Sequence, residues 1–180
     1  MKFFLVGYLA SGKSNIGKKL SHILKLDFID MEEYMENKIN QTLFHYYRNL
    51  GEVKYKDLEY EVFKEIVETR DNFVLSTSDM TPCIYDVLDI MKKKGTIIYL
   101  KMNENLLVER LKNARKVRFQ IADIPSYELE DFIKEQLKER EEKCYGKASI
   151  IVDASVLSAD QIANIIKYQD VLNSPVKDNK

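Results

Sequence analysis

Hydrophobic positions along the chain fall into two alternating kinds of run. Phe3 to Val6, Phe28 to Ile29, Phe73 to Leu75, Thr96 to Leu100 and Ile150 to Val152 are short and unbroken. That is the pattern of strands buried on both faces of a parallel sheet. Between them apolar residues recur at helical spacing: Ile16, Leu20, Ile23 and Leu24, then Tyr55, Leu58, Val62 and Ile66. Ile84, Val87, Leu88 and Met91 form a third stripe, closed by three lysines and Gly95, and Leu129, Phe132, Ile133 and Leu137 form a fourth. Ser158 and Gln161 make a capping box ahead of Ile162, Ile165 and Ile166. Strand and helix alternate from end to end. This predicts an α/β fold of three layers, with about five parallel strands and helices on both faces.

No repeat, low-complexity tract or linker breaks the alternation, so one domain is expected over residues 1–172 and a loose tail over 173–180. The stretch 113–125 begins basic, carries no apolar stripe and joins two helices. It is expected to be a mobile lid. A net charge of −1 argues against nucleic acid as the main partner, because such binders carry a basic excess. No run approaches the eighteen apolar residues of a membrane span, and the apolar start ends at Gly7 with no cleavage signature. A cytoplasmic monomer is the expectation. Cys83 and Cys144 stand far apart, in no metal-ligand spacing, and are expected to be free thiols of a reducing compartment.

Chemistry enters at Gly7-Tyr8-Leu9-Ala10-Ser11-Gly12-Lys13-Ser14, which fits G-x-x-x-x-G-K-[ST] between an apolar strand and an amphipathic helix. Glycines let backbone N–H groups turn inward around phosphate oxygens, and the helix aims its positive end at the same anion. Lys13 would reach the β- and γ-phosphates and Ser14 would hold Mg2+, with Ala10, Ser11, Gly12 and Asn15 completing the cradle. ATP and Mg2+ are the implied cofactors.

Beyond this loop the chain resembles the shikimate kinase family over nearly its whole length. Phe28-Ile29-Asp30-Met31-Glu32 is similar to that family's F-x-D-x-D, and Gly51-Glu52 through Lys56 to Glu59 is similar to its G-E-x-x-F-R-x-x-E. Arg118 falls at the lid arginine, and Glu139-Arg140 at the E-R before the last strand. The resemblance implies a P-loop kinase fold with a substrate subdomain at about 31–62, a lid at about 113–125, and phosphorylation of shikimate or a related hydroxy compound. It also implies roles. Asp30 would support Mg2+, Glu32 would take the acceptor's proton, Arg118 would close on the phosphates, and Arg110 would pack on adenine. Lys56 and Arg140 would grip the acceptor's carboxylate.

Several positions depart from the family pattern. Its acceptor-site aspartate is Glu32, one carboxylate-binding arginine is Lys56, which loses the bidentate fork, and its three glycines are Ser78-Asp79-Met80. Two like charges about 4 Å apart at an effective dielectric near 20 repel by about 4 kcal/mol. Asp79 is therefore expected to work against an anionic acceptor unless something compensates it. Three readings stay open: a shikimate kinase, a kinase for another small acceptor, and a nucleotide-binding module with little transferase activity. Tyr46, Tyr47 and Tyr55 read as packing of the substrate subdomain.

Overall fold

The computed structural model describes residues 1–114 and 118–173. Residues 115–117 of the expected lid and 174–180 of the expected tail lie outside them. β1 (Lys2–Val6) occupies the middle of a five-stranded parallel sheet, flanked by β3 (Phe73–Ser76) and β4 (Thr96–Lys101). β2 (Asp27–Asp30) and β5 (Ile150–Asp153) are the edges, giving the order β2-β3-β1-β4-β5. The core strands match the expectation of burial on both faces, with Phe3, Phe4, Leu5, Val74, Leu75, Ile97 and Ile98 fully buried. The edges do not. β5 alternates, leaving Ile151 half exposed, and β2 is only partly covered, because the helical layers thin out at a sheet margin.

α1 (Lys13–Leu24) carries the chain from β1 out to β2. α2 (Met31–Ile39), α3 (Leu43–Thr69), α4 (Val87–Lys94), α5 (Glu104–Lys112) and α6 (Leu129–Lys143) lie on connections running the other way along the sheet. Parallel crossovers are right-handed, so the two directions put helices on opposite faces. α7 (Ala159–Asn173) packs on α1 and completes the first layer. The expected capping box closes: Ser158 N–H donates to Gln161 Oε1 and Gln161 N–H to Ser158 Oγ.

Two features shape the acceptor side. α3 bends at Gly51, whose φ of 79° and ψ of −179° suit glycine alone. In addition, Cys83 and Cys144 form a disulfide, which corrects the expectation of free thiols. Sixty-one residues separate them in sequence, but the turn after β3 (Thr81–Cys83) meets the end of α6 with Cα atoms 5.3 Å apart. No helix among the described residues is long and apolar enough to cross a membrane.

Candidate active site

Register brings three strand ends together. Asp30 pairs with Ser76 in the sheet, and Ser76 lies opposite Leu5, two residues before Gly7. Gly12 opens α1 in the left-handed region at φ 92°, and no side chain caps the helix, so its first N–H groups remain for an anion. Lys13 is buried beneath the loop and donates from Nζ to the carbonyls of Gly7 (2.7 Å) and Tyr8 (2.9 Å). Burial lowers its pKa to about 8, against the opposing pull of the Asp79 and Glu32 carboxylates. Arg110 donates to the carbonyl of Ala10 at 3.1 Å, which sets its guanidinium at the rim of the loop.

Ser14 Oγ donates to Asp30 Oδ2 at 2.5 Å, while Asp30 Oδ1 accepts from the N–H groups of Glu32 and Glu33. Asp30 thus caps α2 and faces the phosphate loop with the same carboxylate. No group of three or more His, Cys, Asp or Glu side chains among the described residues could hold a metal. The hard oxygens of Ser14 and Asp30, beside a phosphate cradle, suit Mg2+, which keeps most of its shell as water and phosphate. A cavity of about 270 Å³ runs along this edge, lined by Gly12, Lys13, Ser14, Asp30, Glu32 and Arg118 among others. Ser76 and Thr77 also line it. Ser76 ends β3 and Thr77 follows it, one step beyond the apolar run read from the sequence, which gave neither residue a role.

At the mouth of the cavity Arg118 Nη1 meets Glu32 Oε2 at 2.8 Å, joining two residues 86 apart in sequence. Residues 119–123 are folded down onto α3. Phe119 sits with its ring centroid 4.6 Å from that of Tyr47 and 4.9 Å from that of Tyr55, and Arg48 bonds Asp123 at 2.6 Å. Glu32, Arg118, Phe119 and Gln120 line a second, largely apolar cavity of about 400 Å³. Phe119 and Gln120 continue into a third, of about 230 Å³, with Tyr47, Tyr55, Lys56, Glu59 and Arg140. Two of the three tyrosines read as packing therefore also face this space.

The sequence required a compensating charge for Asp79, and the structure supplies it in Arg140. Asp79 Oδ2 is paired with Arg140, both side chains being almost wholly buried, and Gln120 donates to Asp79 Oδ1 at 3.2 Å. Arg140 also donates to Gln136 at 2.7 Å and lies 4.8 Å from the ring centre of Tyr8. Tyr145 donates to the Asp79 carbonyl at 2.6 Å. Ser78 is buried beside Asp79, and Met80 lines the third cavity. Lys56 is paired with Glu52 at 2.5 Å on the partly exposed side of α3. Glu59 accepts from Thr81 Oγ1 at 3.0 Å, and burial, then Asp79, push its carboxyl up to about 8.

A phosphate loop between a central strand and a helix, a buried lysine beneath it and an acid–arginine pair at its mouth define a P-loop kinase for small molecules. The shikimate kinase family model matches residues 9–169. The shikimate kinase of Azobacteroides pseudotrichonymphae genomovar. CFP2 is 35% identical over 150 residues, which is 83% of this chain and 88% of that protein. That of Parabacteroides distasonis is 33% identical over 153 residues, covering 85% and 87% of the two chains. The crystal structure of the Bacteroides thetaiotaomicron shikimate kinase superposes with a TM-score of 0.85 at 29% identity, over 97% of this chain and 99% of that one. The chain belongs to the shikimate kinase family, whose members are ATP-dependent phosphotransferases.

Proposed function

We propose that this protein transfers the γ-phosphoryl group of ATP to a hydroxyl of shikimate. The observation that carries the reading is the meeting of Glu32 and Arg118, where the cavity beside Lys13 and Ser14 opens toward the acceptor side. The acceptor oxygen would attack the γ-phosphorus, the bond to the β,γ-bridging oxygen would break, and ADP would leave with that oxygen. Glu32 would receive the hydroxyl proton. Lys13 and the N-terminal N–H groups of α1 would neutralise charge that grows on the phosphate oxygens. Ser14 and Asp30 would hold Mg2+, which supplies further neutralisation when bound. Arg118 would leave Glu32 for the phosphates as the lid, residues 113–125, closes over the nucleotide.

Support for shikimate comes from the family and from the Acinetobacter baumannii shikimate kinase, solved in complex with shikimate, which shares this fold at a TM-score of 0.83 and 23% identity. The buried Asp79–Arg140 pair favours a second reading, in which the acceptor is a different polar hydroxy compound. ADP release with Mg-ATP and a panel of shikimate, hydroxy acids, sugars and nucleoside monophosphates tests both. Turnover of shikimate supports the first. Turnover of another acceptor alone supports the second, and Mg-ATP binding without any turnover refutes both.

A further inference from the structure

Tyr8 follows Gly7 into the phosphate loop, but its side chain leaves the loop for α6. The ring is buried, with the Arg140 guanidinium 4.8 Å from its centre. Its hydroxyl donates to Gln136 Oε1 at 3.2 Å, and Arg140 donates to the same oxygen at 2.7 Å. Burial pushes the phenol well above its usual pKa, so it remains a neutral donor at any working pH. A buried cation over a ring face is held more firmly than an exposed one, because water no longer competes for it. The hydroxyl in turn fixes how the ring lies.

The main chain of the same residue serves the nucleotide. The Tyr8 carbonyl accepts from Lys13 Nζ at 2.9 Å and from the Ser11 N–H at 3.2 Å. Lys13 thus spends its ammonium donors on the carbonyls of Gly7 and Tyr8. Phosphate oxygens are charged acceptors, and they make shorter, stronger bonds to an ammonium than amide carbonyls do. Filling of the loop therefore draws Lys13 off the Tyr8 carbonyl. The ring is rigid and closely packed, so a shift of its backbone is passed to Arg140 and Gln136 rather than absorbed. Both of those side chains line the third cavity.

We propose that Tyr8 is a positioning residue that carries the state of the phosphate loop to Arg140, so that nucleotide and acceptor each strengthen the other's binding. The two states are Lys13 on the Tyr8 carbonyl and Lys13 on the phosphates. Asp79 stays paired with Arg140 in both, since breaking a buried ion pair is strongly unfavourable, and the pair moves as a unit. Coupling of this kind is reciprocal by thermodynamic necessity. The second position of G-x-x-x-x-G-K-[ST] is open to any residue, so the phosphate cradle itself does not call for a tyrosine there. The inference rests on the kinase reading above and names the side chain that joins its two halves.

Titration calorimetry of the full chain tests this, measuring Kd for shikimate alone and with saturating Mg2+ and the β,γ-imido analogue of ATP. The wild type should bind shikimate about tenfold more tightly with the analogue present. Tyr8→Leu keeps an apolar filler but loses the ring and the hydroxyl. Its ratio should fall below about twofold, with each ligand alone bound within about threefold of the wild type. Tyr8→Phe restores the ring and should recover a ratio of about fivefold; one no better than that of Tyr8→Leu overturns the role of the ring. A wild-type ratio near one, or an unchanged ratio in folded Tyr8→Leu, overturns the inference while leaving the proposed function standing. Weaker binding of each ligand alone with the ratio intact marks mere packing and overturns it too. If another acceptor alone turns over, that compound replaces shikimate in the titrations. Mg-ATP binding with turnover of no acceptor overturns the proposed function, and the inference with it.

Discussion

Lys13 and Glu59 are both buried ionisable groups, and both are displaced toward neutrality, but their consequences run in opposite directions. Lys13, lowered from 10.5 to about 8, binds fewer protons in the folded than in the unfolded chain between those values. Stability from this residue therefore rises as pH climbs through that window. Phosphate oxygens beside Lys13 favour its charged form, so Mg-ATP binding at pH 8 should take up a proton. Calorimetry in two buffers of different ionisation enthalpy reads that uptake. Lys13→Ala should cost at least about 100-fold in turnover while the melting transition persists, since the charge acts on the reacting phosphate. Glu59, raised from 4.5 to about 8, binds more protons when folded, and its contribution to stability is lost as pH rises through that interval. Denaturation midpoints between pH 5 and 8 should fall in the wild type, and Glu59→Gln should flatten the fall.

At the scale of elements, the bend of α3 and the descending segment after Arg118 decide whether an acceptor cavity exists. Gly51 turns α3 so that Tyr47 and Tyr55, on either side of the bend, reach the same ring of Phe119. A Cβ at Gly51 would meet no atom within 4 Å. Gly51→Ala should therefore cost only the strained backbone, about 1–3 kcal/mol, read from urea midpoints. A null change would show that α3 can bend without its glycine. Phe119→Ala removes the ring that fills the gap between the two tyrosines and carries its neighbours Arg118 and Gln120 on the same turn. Acceptor KM should rise about tenfold and kcat should fall, whereas Mg-ATP affinity should change far less.

Across the whole molecule, the acceptor side is stapled where the nucleotide side is not. The disulfide joins the turn after β3 to the end of α6 across 61 residues of chain, and the Asp79–Arg140 pair spans the same interval. Loop-closure entropy for a segment of that length is worth about 4 kcal/mol, and measured bridges return about 2–4 kcal/mol. Adding reductant should lower stability by that order and should free two thiols per chain on titration. Titration of two thiols before reduction would contradict the bridge. Because the staple lies beside Asp79, whose carbonyl Tyr145 holds, the loss should fall more heavily on acceptor KM than on nucleotide affinity.

What the sequence determined by itself was local in the chain. The phosphate loop from Gly7 to Ser14 is contiguous, its chemistry follows from spacing alone, and the strand before it and helix after it are written in apolar periodicity. Asp30 was legible through the family resemblance as a carboxylate facing the phosphate loop, and the structure makes the same side chain the cap of α2. The places of the strands along the chain and the capping box at Ser158 followed from the same kind of pattern, whereas the order of strands in the sheet did not. The tertiary structure alone decided which distant groups meet. Glu32 with Arg118, Asp79 with Arg140, and Cys83 with Cys144 are pairs 86, 61 and 61 residues apart. No periodicity encodes such partners, because they depend on strand register, on the bend at Gly51 and on how α6 lies against the turn after β3. That is why the sequence showed that Asp79 needs a compensating charge but not that it is half of a buried ion pair. Burial and partnership are properties of the packed interior, where the same carboxylate can repel a ligand or hold a guanidinium in place.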